Sequence, residues 1–404
     1  MSAFVIVGAG MAGGKAAETL REEGFDGGVV LIGAEPERPY ERPPLSKDYL
    51  RGESERAGVY LQDDASWYEQ HEVQLRTSAS VESLDVGERA VLLEGGEHID
   101  YDALLLATGA EPKRLAVPGA DLEGVHVLRT LDDCDALRGV LDRGGRLVVV
   151  GAGWIGCEVA ASARQRGMEV AVIEPQSVPL ERVLGSELGA FYRDVHLDHG
   201  VVMRLGTGVE AIEGAGRVER VRASDGTMLE ADAVLIGVGV APRTALAEGV
   251  LDVDDGILVD AGLRTSVEGV FAAGDVANHD HPLLGRLRVE HWANALEQGP
   301  AAARAMLGQE VSYDRVPYFF SDQYDVGMEY AGHSRPDDEV VFRGDPATRE
   351  FIAFWLRDGR VAAGMNVNVW DVNEHIQALV RSGLTVDVAR LTDPDVALAD
   401  IGGA

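Results

Sequence analysis

The sequence has few cysteines, few lysines and no long hydrophobic run. Its 404 residues include two cysteines, Cys134 and Cys157, which are too few for a disulfide framework and lack zinc-site spacing. We therefore expect both thiols to pack in the interior. His279 and His281 flank Asp280 in a predicted polar loop, where we expect them to be solvated and not to bind metal, so we predict no metal centre. No apolar run approaches the roughly 18 residues of a membrane span, and the chain enters a predicted strand at its start. These absences predict a cytoplasmic protein without a signal peptide.

Basic residues are scarce beside acidic ones. There are 68 aspartates and glutamates against 36 lysines and arginines, and the formal net charge is −32 at pH 7. This balance argues against nucleic acid or an anionic membrane as a partner. Only Lys15, Lys47 and Lys113 are lysines. A lysine within a motif is therefore notable, because the chain otherwise prefers arginine to the compact ammonium group.

A glycine-rich motif follows the first apolar segment. Phe4–Val7 reads as a buried strand, and Gly8-Ala-Gly10-Met-Ala-Gly13 opens a helix directly after it. In such a motif the first glycine allows a tight turn, the second admits a pyrophosphate, and the third lets helix and strand pack closely. The next strand leads to Glu35, about 20 residues further on, where an acid can bind a ribose diol. The segment is typical of a dinucleotide site.

The same pattern occurs a second time. Arg146–Val150 reads as a strand, Gly151-Ala-Gly153-Trp-Ile-Gly156 opens a helix, and the following strand ends at Glu174. One motif alone is weak evidence, because glycine-rich turns also precede helices that bind nothing. Two copies with complete strand, helix and acid context predict that the chain binds two dinucleotides.

The remaining pattern divides the chain into three regions, one of them split. Residues 1–108 hold the first motif and residues 109–239 the second, and each region closes with an apolar strand that leads to a glycine. Another such strand, Gly269–Asp275, precedes a predicted helix over Val289–Gln298, so we expect the first region to resume over residues 240–315. Short aromatic and β-branched runs over residues 316–404, such as Tyr318–Phe320 and Arg349–Trp355, read as strands and indicate a small α+β domain.

Six motifs together resemble one known family, and the resemblance runs nearly from end to end. They are Pro39–Lys47 (PYERPPLSK), Leu106–Gly109 (LATG), Gly151–Ala160 (GAGWIGCEVA), Phe271–Asp275 (FAAGD), Glu290–Gln298 (EHWANALEQ) and Ser321–Asp325 (SDQYD). The family is that of FAD-dependent, NADH-using ferredoxin reductases that serve bacterial monooxygenases and aromatic-ring dioxygenases. The resemblance implies an α/β fold of two Rossmann-like domains in a glutathione reductase-like arrangement, with the α+β domain at the C-terminus.

The resemblance also implies cofactors, a partner and site residues. Electrons would pass from NADH through FAD to a two-iron, two-sulfur ferredoxin. The residues implied for FAD are Gly8, Gly10, Ala12, Gly13, Glu35, Arg42, Lys47, Val81, Ala107, Thr108, Gly109, Arg129, Gly274, Asp275 and Trp292. Those implied for NADH are Gly151, Gly153, Ile155, Gly156, Glu158, Glu174, Arg182 and Gly239.

The chemistry needs no nucleophile, because hydride passes directly from the nicotinamide to the flavin. We expect Lys47 and Glu158 to act as an ion pair beside the two rings. Two simpler readings stay open, in which Lys47 is a solvated surface residue and Glu158 only complements a helix N-terminus. The chain departs from many relatives in having Phe320 where they have Trp and His291 where they have Ser.

Other functions of the same architecture remain as alternatives. Flavin disulfide reductases need a cysteine pair near the first motif, and related NADH oxidases need one redox cysteine near residues 40–50, but the sequence has neither. A flavoprotein with a mainly interaction role, similar to apoptosis-inducing factor, and a reductase of rubredoxin or of a radical substrate stay open. We expect Arg304, Arg335, Arg343 and Arg349 to supply a basic patch for an acidic ferredoxin. The sequence does not reveal the oligomeric state.

Overall fold

The computed structural model describes residues 2–401, which form two compact units. The first unit contains the described chain up to Glu41, Arg56–Glu111 and Ala241–Pro317. The second contains Arg42–Glu55, Pro112–Val240 and the described chain from Tyr318 onward. The finer division into a split FAD domain, an NADH domain and a C-terminal domain stays a prediction.

The described residues contain many short strands. In chain order they are β1 (Ala3–Val7), β2 (Gly28–Ile32), β3 (Val73–Arg76), β4 (Val81–Asp85), β5 (Ala90–Leu93), β6 (His98–Asp100), β7 (Ala103–Leu106), β8 (Ala110–Pro112), β9 (Val125–His126), β10 (Arg146–Val150), β11 (Glu169–Glu174), β12 (Val202–Leu205), β13 (Val209–Glu213), β14 (Arg220–Ala223), β15 (Met228–Glu230), β16 (Ala233–Ile236), β17 (Val240–Pro242), β18 (Ile257–Val259), β19 (Val270–Ala272), β20 (Ala277–His281), β21 (Gly285–Arg288), β22 (Tyr318–Gln323), β23 (Val326–Gly332), β24 (Glu339–Asp345), β25 (Glu350–Arg357) and β26 (Arg360–Val367).

Helices connect these strands. The α-helices are α1 (Met11–Glu22), α2 (Asp48–Arg51), α3 (Trp67–Gln70), α4 (Leu131–Arg143), α5 (Trp154–Gln165), α6 (Glu181–Leu184), α7 (Ser186–Asp198), α8 (Trp292–Met306), α9 (Asn373–Ser382) and α10 (Val388–Thr392). Short 3₁₀ turns cover Pro43–Ser46, Arg56–Val59, Gly274–Val276, Pro346–Thr348 and Leu398–Asp400.

A parallel five-stranded sheet is the centre of the first unit. Its strand order is β19-β7-β1-β2-β3. The central strands consist mainly of Val, Ile and Leu and are buried on both faces, as is typical of a parallel sheet covered by helices. Strand β19 pairs with β7 although much of the second unit lies between them in sequence. The expected return of the chain to its first sheet is thus observed.

Helix α8 differs from its sequence prediction at both ends. The prediction was Val289–Gln298, whereas α8 spans Trp292–Met306. It begins later because His291 is extended at the N-cap, with φ −102° and ψ 145°. It continues through Gly299 and Pro300, because its alanine-rich face packs against α1 and a Cβ at Gly299 would lie 2.3 Å from the carbonyl oxygen of Ala12. Tertiary packing therefore overrides the stop signal that Gly-Pro gives in sequence.

The second unit contains another parallel five-stranded sheet, of order β12-β11-β10-β16-β9. It also contains the antiparallel sheet β22-β23-β26-β25-β24, on which α9 packs through Ile376, Leu379 and Val380. The strands predicted around Tyr318–Phe320 and Arg349–Trp355 are observed as β22 and β25. In each unit a glycine motif therefore directly follows the central strand of a parallel sheet, β1 or β10.

Helix α4 holds the segment that carries Lys47. The helix begins with a capping box in which the Thr130 hydroxyl accepts from Asp133 N–H. The Cys134 thiol then donates to the Leu45 carbonyl at 3.2 Å, and the Tyr49 hydroxyl donates to Asp135 Oδ1 at 2.7 Å. These contacts fix the backbone on both sides of Lys47 within the second unit.

Two helical glycines provide a matched test of the packing of α1 and α8. Gly299→Ala should lower the free energy of unfolding by roughly 1–3 kcal/mol, because the new methyl group meets the fixed backbone of Ala12. Gly139→Ala in α4 is the control, since its methyl group would have only the Arg143 side chain within 4 Å, at 3.7 Å. We expect it to stabilise by about 0.5–1 kcal/mol. Urea unfolding checks both values, and equal effects of the two variants would contradict the packing argument.

Candidate functional site

The first glycine motif has the geometry of a phosphate cradle. A Cβ on Gly8, whose φ is +116°, would lie 2.0 Å from the Ala107 carbonyl oxygen, and one on Gly13 would lie 1.9 Å from the Gly8 carbonyl oxygen. Glycine is therefore required at both positions. A Cβ on Gly10 would meet nothing within 4 Å. The uncapped N-terminus of α1 borders this open space, as an anion site requires.

Several other residues implied for FAD belong to the same unit. Gly274 lies against Ala12, its N–H donates to Gln298 Oε1 at 2.9 Å, and the largely buried Asp275 follows it. Trp292 opens α8. The first unit thus brings Ala12, Gly274 and Asp275 to the end of the sheet where the cradle lies.

The remaining residues implied for FAD in this unit follow strand ends. Ala107, Thr108 and Gly109 come directly after β7, and the Thr108 hydroxyl donates to the Arg243 carbonyl at 2.8 Å. Val81 begins β4. Glu35 follows β2 and accepts a hydrogen bond of 2.5 Å from the Tyr40 hydroxyl. The acid at the predicted ribose position is therefore already oriented by a neighbouring side chain.

The second glycine motif repeats this geometry in the other unit. A Cβ on Gly151, with φ +99°, would lie 2.4 Å from the Gly237 carbonyl oxygen, and one on Gly156 would lie 2.1 Å from the Gly151 carbonyl oxygen. A Cβ on Gly153 would again meet nothing within 4 Å, and α5 begins without a side-chain cap. Ile155, in the first turn of α5, is 43% exposed. An apolar side chain left exposed beside a phosphate cradle is suited to contact a nucleotide.

Glu174 is tied to the second motif through its carboxylate. Its Oε2 accepts from Ala152 N–H at 2.7 Å and its Oε1 accepts from Gln176 N–H at 2.9 Å. Each oxygen keeps acceptor capacity for a ribose hydroxyl. Arg182 is exposed on the short helix α6. Gly239 has φ +98° and its carbonyl accepts from Lys113 N–H, so this glycine shapes the loop after β16.

The predicted ion pair between Lys47 and Glu158 is present. The Lys47 Nζ lies 2.9 Å from Glu158 Oε2, and both side chains are buried. The hydroxyl of Ser46 donates to the same oxygen, and the hydroxyl of Ser321 donates to Oε1 at 2.7 Å. Lys47 is therefore not a solvated surface residue. Glu158 also does more than complement a helix N-terminus, because its carboxylate joins three separate segments of the second unit.

Sequence reasoning missed the two serines. Ser46 and Ser321 lie within quoted motifs, but nothing local in the sequence indicates that both hydroxyls reach Glu158. Ser162, one turn further along α5, adds to the arrangement by donating to the Ser46 carbonyl at 2.7 Å. The Lys47 ammonium also lies 5.3 Å from the ring centre of Phe320, a cation–π distance. Arg42, also in this unit, donates to the Arg129 carbonyl.

The cysteines are buried, as the sequence predicts. Burial raises the pKa of the Cys134 thiol to about 12 and raises that of the Cys157 thiol further. The thiolate is the reactive form, so neither side chain is suited to redox chemistry. The structure thus argues against the disulfide-reductase and NADH-oxidase alternatives.

One expectation from the sequence is wrong. His279 and His281 were expected to be solvated, but both lie on the same face of β20 and are buried. His281 accepts from Leu283 N–H and Leu284 N–H, and its other ring nitrogen faces the Arg315 carbonyl. Burial lowers the pKa of His279 to about 4. Across residues 2–401 no cluster of three His, Cys, Asp or Glu side chains is placed to hold a metal ion, and none of the helices is long and apolar enough to cross a membrane.

The chain is similar to known reductases over nearly its whole length. Residues 2–299 match the pyridine nucleotide-disulphide oxidoreductase family, and residues 318–402 match a reductase C-terminal family. The ferredoxin–NAD(+) reductase component of an anthranilate 1,2-dioxygenase system from Burkholderia cepacia is 40% identical over 398 residues, which are 98% of each chain. Rhodocoxin reductase from Rhodococcus erythropolis is 39% identical over 98% of this chain and 94% of its own.

Solved structures extend the similarity to the fold. The structure of a covalent putidaredoxin reductase–putidaredoxin complex contains a chain that is 35% identical, with a TM-score of 0.95, over 98% of this chain and 97% of that one. An NAD-dependent persulfide reductase from A. fulgidus, 23% identical with a TM-score of 0.88, has the same fold. The two nucleotide cradles and the C-terminal sheet agree with these comparisons. The chain belongs to the pyridine nucleotide-disulphide oxidoreductase family and, within it, to the ferredoxin reductases.

Proposed function

We propose that this protein passes electrons from NADH through FAD to a two-iron ferredoxin that supplies a monooxygenase or dioxygenase, in the cytoplasm. The observation that carries the proposal is the pair of glycine cradles, each beside an uncapped helix N-terminus and an oriented acid. Two such cradles suit an enzyme that holds two dinucleotides at once. The similarity to a ferredoxin–NAD(+) reductase component and to putidaredoxin reductase supports ferredoxin as the class of acceptor.

The first cradle fits the pyrophosphate of FAD. The open space at Gly10 and the N–H groups of α1 would receive the phosphates, and Glu35 would hold the ribose diol. When bound, FAD accepts two electrons from NADH as hydride and releases them singly to a one-electron acceptor. Contacts of Val81, Asp275, Trp292, Arg42, Lys47 and Arg129 with FAD remain predictions from the family resemblance.

The second cradle fits NADH in the same way. Gly153 leaves room for the pyrophosphate, Ile155 offers an apolar surface, and Glu174 would accept hydrogen bonds from the adenosine ribose. A carboxylate at this position repels the additional phosphate of NADPH. The proposed donor is therefore NADH.

The ion pair supplies a fixed positive charge in a buried place. Lys47 keeps its ammonium group in the interior because Glu158 compensates it, and Glu158 is in turn held by two serine hydroxyls. We infer that the two side chains act together at the reacting rings, with the ammonium favouring the negative charge that reduction adds. No proton transfer by either side chain is needed for hydride transfer itself.

Of the four arginines expected to form a basic patch, Arg335 is exposed and the other three make contacts within the protein. Arg349 is paired with Asp325 and Asp198, and Arg343 donates to the carbonyls of Leu391, Pro394 and Val396. Arg304 is paired with Glu23. Because three of the four arginines are engaged within the protein, recognition of the acceptor is better tested by acceptor type than by salt dependence.

The acceptor is tested by a panel of electron carriers. With NADH as donor, a two-iron ferredoxin of the oxygenase type should support cytochrome c reduction at a rate that saturates with ferredoxin concentration. Rubredoxin and a four-iron ferredoxin are the matched controls, and ferricyanide reports flavin turnover without a protein partner. Faster turnover with rubredoxin than with every two-iron ferredoxin would contradict the proposed acceptor. Turnover with ferricyanide alone would favour the radical-reductase or interaction alternatives.

Nucleotide preference tests the role of Glu174. The wild-type kcat/KM should favour NADH over NADPH by roughly ten- to a hundred-fold, the range expected for a modest difference in binding free energy. Glu174→Gln should narrow the ratio, because it removes the charge while one amide oxygen can still receive a backbone N–H. Arg182→Ala is the control. Loss of an exposed cation should weaken the binding of NADPH, so this variant should still prefer NADH. Equal efficiency with both nucleotides in the wild type would refute the assignment.

A further inference from the structure

A row of hydrogen-bonded side chains leads from the half-buried Tyr324 to Glu158 within the second unit. The Tyr324 hydroxyl lies 3.3 Å from His196 Nδ1, and His196 Nε2 lies 3.0 Å from Gln323 Oε1. Gln323 Nε2 donates to Ser321 Oγ at 3.2 Å, and Ser321 donates to Glu158. His196, Gln323 and Ser321 are each at most 1% exposed. Buried polar groups lower the stability of a protein unless all of them are hydrogen-bonded. The pairing of each group in the row therefore offsets the cost of burying it.

The hydrogen bonds of the row all donate toward Glu158. Because Gln323 Oε1 faces His196, the histidine carries its proton on Nε2, and Nδ1 accepts from Tyr324. Burial lowers the pKa of His196 to about 4, so the ring is neutral at physiological pH. Gln323 then presents its NH₂ group to Ser321. Since that serine oxygen already accepts a hydrogen bond, its single proton is directed at Glu158.

Reversal of the Gln323 amide would change this outcome. Its carbonyl oxygen would then face Ser321, and the serine proton would turn toward the amide and away from Glu158. The buried carboxylate would lose one of its donors on the side opposite Lys47. The Glu158 carboxylate can only accept, so it requires the Ser321 proton, and His196 protonated on Nε2 supplies the donor that Gln323 Oε1 needs in the matching orientation.

The row cannot act as a proton conduit. A side-chain amide does not exchange protons readily with its neighbours, and His196 is neutral. An orienting function is consistent with both properties. We propose that Gln323, whose Oε1 accepts from His196 Nε2–H, is a positioning residue that directs the Ser321 hydroxyl to Glu158 and so holds the carboxylate against Lys47. Its effect on catalysis rests on the proposed function of the Lys47–Glu158 pair.

The scarcity of lysine makes the pair directly observable. A holoprotein labelled with ¹³C at the lysine ε-carbon should give three signals, from Lys15, Lys47 and Lys113. Loss of one signal in Lys47→Arg assigns Lys47. The other two lysines serve as internal controls, because neither contacts the row.

Two variants interrupt the row without touching Lys47 or Glu158. Gln323→Met removes the amide at similar length, and His196→Phe leaves the amide in place but free to reverse. Asn373→Leu is the matched control, because Asn373 is a buried amide on α9 that bonds Asn366 and Gln377 instead of the row. If Gln323→Met fails to fold, His196→Phe tests the proposal alone.

We expect both row variants to shift the Lys47 signal and leave those of Lys15 and Lys113 in place. They should also slow anaerobic flavin reduction by NADH by roughly two- to ten-fold, the scale of one neutral hydrogen bond, without changing the apparent Kd for NADH. Asn373→Leu should do neither.

An unchanged Lys47 signal in a folded row variant overturns the proposal. So does a shifted signal with normal flavin reduction, since the row would then be structural only. If NADH does not reduce the flavin of the wild-type protein, the proposed function is overturned instead. The NMR measurement does not test that function.

Discussion

The organisation of the second unit depends on one buried carboxylate. Glu158 lies near the start of α5 and receives Lys47 and Ser46 from one distant segment and Ser321 from another. Removal of one partner from such a buried pair typically costs about 3–5 kcal/mol, because the remaining charge stays in the interior without compensation. The segment that carries Lys47, the helix after the second glycine motif and the first strand of the C-terminal sheet are therefore held in one arrangement. A site for two-ring chemistry needs this kind of fixed charge, because the cofactors react and the protein only orients and stabilises them.

The two glycine motifs illustrate a separate constraint, which is steric. In both motifs the first and third glycines are enforced by carbonyl oxygens within 2.4 Å of a virtual Cβ, while the second borders open space. The same three roles in both units explain why one short pattern is repeated in otherwise different sequence. The acids Glu35 and Glu174 are each oriented by hydrogen bonds before any nucleotide binds, which lowers the entropic cost of binding.

Much of this could be predicted from the sequence, because the determinants are local. Strands β1 and β10 and the turns after them follow from apolar runs and glycine spacing. The ends of α8 could not be predicted, since contact with α1 decides them. His279 and His281 were misjudged because a polar His-Asp-His segment is in fact a strand whose alternate residues face inward. The hydrogen bonds of Ser46, Ser321 and Gln323 join positions that are remote in sequence, and no local pattern records them.

The central claim is that one chain binds FAD and lets NADH reduce it. Anaerobic titration of the purified holoprotein with NADH, followed by identification of the released flavin, tests it most directly. The account predicts that the flavin is FAD, at one per chain, and that one NADH per flavin removes the absorbance of the oxidised form. A colourless protein that cannot be reconstituted with FAD, or a bound flavin that NADH leaves oxidised, would contradict it.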